Sequence, residues 1–166
     1  MSIPFQERVD VNELAIVERF INSVPVKVGE LAAELGLKVT RAPLPPKISG
    51  LIKPSTEARS GYEIKVNKYE TMERQRFTVA HEVAHYLLHR SDIGAGVVDS
   101  IMYRSSLTSR KEVEANKLAA ALVMPAKPVA QQLQVLGGIS APDVAVELAA
   151  IFKVSEPAMK VRLGIV

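Results

Sequence analysis

The three histidines of this 166-residue chain fall within nine positions, in the run His81-Glu82-Val83-Ala84-His85-Tyr86-Leu87-Leu88-His89. Its first five residues spell His-Glu-x-x-His, and that spacing demands a helix. Residues four apart on a helix stand on one face about 6 Å apart, so His81 and His85 can offer two ring nitrogens to one metal ion. Glu82 lies one step round, placed to reach a metal-activated water without binding the metal itself. Phe77, Val79, Ala80, Val83, Ala84, Leu87 and Leu88 form a broad apolar band, which predicts a helix from about Thr71 to Arg90 lying on a core. Two histidines and a glutamate on a buried helix are costly unless something satisfies them, and a metal does so.

A catalytic zinc takes three protein ligands and keeps one position open. His89 continues the i, i+4 series but sits about 12 Å along the axis from His81, too far for one ion on a straight helix. The extended pattern that recruits a later histidine needs a glycine, and Tyr86-Leu87-Leu88 has none. His89 therefore reads as a residue that supports a ligand or suits the helix C-terminus. The chain has no cysteine, so a carboxylate must serve; Asp92, Asp99, Glu112 and Glu114 are the candidates downstream. A helix from about Ser109 to Met124 carries the best of them. Glu112 and Asn116, four apart, would put a carboxylate and an amide on one face, the amide bonding a ligand histidine or fixing local geometry. The competing reading of Glu112 is a capping box with Ser109 as N-cap. Glu114 points about 200° away from Glu112 and reads as a solvated charge.

Elsewhere the pattern is α+β, mostly helical. Asp10-Val11-Asn12-Glu13 has capping-box spacing before a first helix ending near Asn22, and Glu30 to Leu35 is a short helix closed by Gly36. Leu37 to Pro43, Ile48 to Lys53 and Tyr62 to Asn67 predict a small three-stranded antiparallel sheet, with Pro43-Leu44-Pro45-Pro46 at a loop or sheet edge. Asp92 to Thr108 lacks helical periodicity and reads as a loop over the cleft between the two metal-bearing helices. A helix begins near Lys127-Pro128, and helices at about 142 to 152 and 157 to 163 resemble a helix-turn-helix. Direct DNA binding through this pair is a weak expectation, because its second helix offers only Lys160 and Arg162 as readers.

Two blocks resemble a known family. Gln75-Arg76-Phe77-Thr78-Val79-Ala80-His81-Glu82-Val83-Ala84-His85-Tyr86-Leu87-Leu88-His89 and Glu112-Val113-Glu114-Ala115-Asn116-Lys117-Leu118-Ala119-Ala120-Ala121-Leu122-Val123-Met124-Pro125 are similar, in content and order, to the ImmA/IrrE family of bacterial and phage metallopeptidases. The resemblance is specific over residues 75 to 125, looser from about 13 to 74, and weak beyond Pro125. It implies a zincin-like, gluzincin-like minimal metalloprotease domain over residues 1–128, and residues 129–166 read as a C-terminal helical extension packed on the same unit. It places the third zinc ligand on Glu112, beside His81 and His85, with Glu82 as general base. Zinc plus one further donor would stabilise the oxyanion, with Tyr103, Arg104, Tyr86 and His89 as candidates. By fold analogy, a sheet edge beside the metal helix would hold the substrate as an added strand.

The substrate implied is a helix-turn-helix repressor or antitoxin, cleaved in transcription regulation or a stress response. The alternative is a non-catalytic, zinc-stabilised module that binds such a protein without cutting it. No apolar stretch reaches membrane-spanning length and the start has no signal-peptide core, which predicts a cytoplasmic protein away from the membrane. A net charge of +3, without a lysine or arginine block, gives no dedicated nucleic-acid patch.

Overall fold

The computed structural model describes residues 3–94, 97–100, 109–138 and 140–165, with the backbone alone at 97–100 and 109. Local signals set the first elements. The Asp10 carboxylate accepts from the Asn12 and Glu13 N–H groups at 2.9 and 3.2 Å and starts α1 (Val11–Phe20). Helix α2 (Val28–Glu34) stops where Gly36 takes the left-handed conformation at φ 85°. The histidine helix α3 (Met72–Leu88) is capped by Thr71, whose hydroxyl accepts from Arg74 N–H at 3.2 Å. Helices α4 (Ser109–Val123), α5 (Ala126–Val135), α6 (Ala141–Phe152) and α7 (Glu156–Leu163) complete the helical part.

The sheet departs from expectation in two ways. Among the described residues it has four strands, β1 (Lys38–Ala42), β2 (Ile48–Pro54), β3 (Tyr62–Asn67) and β4 (Val97–Ser100), in the order β1-β3-β2-β4. It is also mixed, because β1 runs parallel to β3 while β2 is antiparallel to both β3 and β4. The proline-rich segment after β1 explains the first change of neighbour. Prolines have no N–H for a hairpin ladder, so the chain crosses the end of β3 before entering β2. Buried Asn67, at that end of β3, fastens the crossing by donating its amide to the carbonyls of Leu44, Pro45 and Ile48 at 3.1, 3.2 and 2.9 Å. The other departure is β4, which lies in the stretch expected to be loop and pairs Val97 with Ile52 and Val98 with Leu51. Four residues are too few to display a period. Strands β2 and β3 are consequently both internal, and among the described residues the outer strands are β1 and β4.

Helix α3 occupies the centre, packed on β2, β3, α2 and α4. Ile52, Ile64, Val79, Val83, Ala84, Leu118 and Leu122 are buried in one continuous core that also takes in Leu148, Phe152 and Met159 from α6 and α7. Leu118 is fully buried, as expected of a packing position. Arg76 ties these parts together, its guanidinium donating to the carbonyls of Val26, Phe152 and Lys153 at 2.9, 3.3 and 3.2 Å. Arg162 of α7 likewise turns inward and donates to the Met124 carbonyl at 3.0 Å. One of the two cations available to a DNA-reading helix is thus committed to the protein's own backbone.

The height of α3 above the sheet is set by Gly50. A Cβ at this position would lie 2.5 Å from Thr78 Cγ2 and 2.7 Å from the Lys65 carbonyl oxygen. Thr78 is one turn before Glu82, so any relief of that clash displaces the metal helix. Gly50→Ala is expected to lower stability by about 1–3 kcal/mol through overpacking, read as a shift in the urea unfolding midpoint of the metal-free protein.

Candidate metal centre

Helices α3 and α4 face each other, and the site lies between them. His81 and His85, one turn apart, bring their Nε2 atoms to 3.1 Å with rings nearly perpendicular at 87°. From α4, Glu112 places Oε2 3.4 Å from His81 Nε2 and Oε1 3.1 Å from His85 Nε2. Both histidines are buried and the Glu112 side chain keeps 17 % of its exposure. Zinc bonds of about 2.0–2.2 Å in tetrahedral array separate neighbouring ligand atoms by about 3.3 Å. The three ligand atoms stand at that spacing, so the donor set fits a divalent ion of this type; all of them lie within 4.8 Å of one another.

The electrostatics favour the forms a metal requires. Burial pushes the Glu112 carboxyl up, but hydrogen bonds with His81 and His85 outweigh it and hold the group well below the usual carboxylate range. Burial pushes the His85 imidazole down, against the raising effect of Glu112. An ionised carboxylate and a neutral imidazole are the ligating states. Glu82, one residue round from His81, is completely buried on the same helix.

Glu112 is not the capping residue that one reading made it. Helix α4 begins at Ser109 itself, so Glu112 lies beyond the third helical position, and its carboxylate turns to the two histidines. Asp92 is taken by Lys111, at 2.7 Å. The expectation of a solvated Glu114 is overturned. This side chain is 7 % exposed and its Oε1 accepts from His89 Nε2 at 2.9 Å, while Arg8 grips both its oxygens at 2.8 and 3.2 Å. Hydrogen bonds from Arg8 first, then from His89, hold the Glu114 carboxyl down at about 2. A helical wheel gives the direction in which Glu114 leaves α4 but not what waits there.

His89 is buried, with its Nδ1 3.0 Å from His85 Nδ1, so it touches a member of the triad. Asn116 is exposed on α4. Tyr86 turns elsewhere, edge-on to Tyr62 at 5.7 Å and beneath the Arg90 guanidinium at 3.8 Å. Tyr103 and Arg104 lie outside the described residues, as does most of the expected loop over the cleft. Arg8 was missed altogether. The one hint of such a partner was His89, whose second nitrogen needed a recipient.

Comparison with known proteins gives two findings. The family described as the IrrE N-terminal-like domain, peptidase M78, matches residues 32–164. Among solved structures, a Mycobacterium tuberculosis transcriptional regulator shares the fold at a TM-score of 0.59 and 17 % identity, over 92 % of this chain and 46 % of that one. The chain thus spans just under half the length of that regulator. A search of the curated proteins returns no match.

Proposed function

The chain belongs to the IrrE N-terminal-like family of peptidases, and from that premise we propose that it is a zinc-dependent endopeptidase acting on a DNA-binding regulator. The observation that carries this reading is the convergence of His81, His85 and Glu112 at metal-ligand spacing, on a helix that also bears Glu82. The regulator we favour is a helix-turn-helix repressor or antitoxin met in the cytoplasm. Among the described residues no helix is long and apolar enough to cross a membrane. Residues 1–128 are proposed as the peptidase unit and 129–166 as an extension packed on it.

When bound, a zinc ion (Zn2+) supplies Lewis acidity, which polarises the scissile carbonyl and acidifies the attacking water. His81 and His85 would hold it through Nε2 and Glu112 through its carboxylate. Glu82 has the part of general base, taking the proton from the water and passing it to the departing amine, a contribution typically of about 10²–10⁴-fold. Its enclosure keeps bulk solvent from competing for that proton. For the developing oxyanion, Tyr103 is the side chain proposed as second donor, with Asn116, four residues after Glu112 on α4, proposed to fix the local geometry. With β2 and β3 both internal, an added substrate strand would use an outer strand of the described sheet, β1 or β4.

Metal removal tests the reading. Protein stripped by a strong chelator is expected to lose cleavage of a purified regulator and to regain it with one equivalent of zinc. Cleavage that continues in the stripped protein would dismiss it.

A further inference from the structure

The His85 ring has two nitrogens, and only Nε2 faces His81 and Glu112. Its Nδ1 lies 3.0 Å from His89 Nδ1, and His89 Nε2 lies 2.9 Å from Glu114 Oε1. The hydrogens along this line can be placed by elimination. A carboxylate only accepts, so the hydrogen in the last bond belongs to His89 Nε2. An imidazole with its hydrogen there offers Nδ1 as an acceptor, so the hydrogen in the first bond belongs to His85 Nδ1. When a metal is bound and Glu112 ligates it rather than accepting from His85, this arrangement leaves the His85 Nε2 lone pair to the ion.

The line ends on a residue from a distant part of the chain. Arg8 stands in a single 3-10 turn, Gln6–Arg8, and meets Glu114 with two parallel N–H···O bonds, the Arg8 guanidinium lying 5.4 Å from the Phe5 ring. The turn is anchored on either side by buried Ile3 and Val9. Arg8 precedes the residues matched by the family, 32–164, so that match says nothing of its contribution. Both His89 and Glu114 are buried, where a hydrogen-bond partner of fixed geometry constrains a ring plane far more than water does.

We propose that His89, Glu114 and Arg8 are positioning residues that fix the tautomer and ring plane of His85, and so set how tightly the protein holds its metal. The proposal rests on the reading of His81, His85 and Glu112 as a metal site. Partners of this kind, one bond removed from a ligand, typically change metal affinity about 10–100-fold when lost. His89→Ala should fall in that range. Arg8, two bonds further out and 39 % exposed in its side chain, should matter less, by roughly a few-fold. Glutamine can both accept and donate, so His89→Gln should recover much of what alanine loses.

The experiment is zinc affinity by competition with a chromophoric chelator for wild type, His89→Ala, His89→Gln and Arg8→Ala, each shown folded without metal by its melting curve. The ring nitrogen shifts of zinc-loaded wild type should report hydrogen on His85 Nδ1 and His89 Nε2. Weakened binding in His89→Ala with recovery in His89→Gln supports the proposal. Wild-type affinity in both His89→Ala and Arg8→Ala overturns it while leaving the metal site intact, as does an equal loss in alanine and glutamine variants, which would point to packing. If His89→Ala does not fold, Arg8→Ala and the ring shifts decide the matter. A wild type that binds no zinc overturns the underlying site as well.

Discussion

Glu82→Gln is expected to bind zinc as wild type does and to cleave its regulator at least about 10²–10⁴-fold more slowly. Glutamine has nearly the volume of glutamate and can be held in the same enclosed position, so neither helix α3 nor the triad need move. It has no basic oxygen of comparable strength to receive a proton from the attacking water, and no acid to return one to the leaving amine. Metal content and cleavage therefore separate in this variant. The same substitution distinguishes an enzyme from a module that only holds its partner, since binding alone makes no use of a proton shuttle. A Glu82→Gln protein that still controls its target in cells would transfer the biological effect to binding and end the peptidase reading.

Glu112→Ala is expected to strip the site. Structural zinc sites are worth about 10–16 kcal/mol, so losing one ligand of three or four costs about 3–4 kcal/mol, roughly a 10²–10³-fold loss of affinity. The carboxylate faces the Nε2 atoms of both His81 and His85, at 3.4 and 3.1 Å, so it is the group that closes the triad. Elemental analysis after dialysis against a weak chelator should find close to one zinc per wild-type chain and far less in the variant. Equal zinc in both would move the third ligand off α4.

What could be read from the sequence divides along local and non-local lines. The limits of α3, the Asp10 and Thr71 caps and the turn at Gly36 depend on residues within one or two turns, and they were legible. So was the pairing of His81 with His85, which is a property of one helix. The alternation in Tyr62–Asn67 identified a strand and its two faces but not its neighbours. That is why β1 beside β3, and β4 beside β2, emerged only in the fold. Glu112 was one of four carboxylates until a family resemblance singled it out. Glu114 was assigned to solvent because the wheel of α4 carries no information about His89 or Arg8, which arrive from 25 residues before it and from 106 before it.

The joint at Arg76 carries an asymmetry of its own. Three of its hydrogen bonds end on main-chain oxygens, at Val26, Phe152 and Lys153, and a main-chain oxygen survives nearly every substitution of the residue that bears it. The segments it fastens can therefore drift in sequence without loosening, as long as their backbones keep course. Lysine cannot take over the task, since one ammonium on a flexible stem does not reproduce a planar fork. Among the described residues, the side-chain hydrogen bonds that moor the carboxy-terminal helices to the histidine helix thus all rest on a single codon.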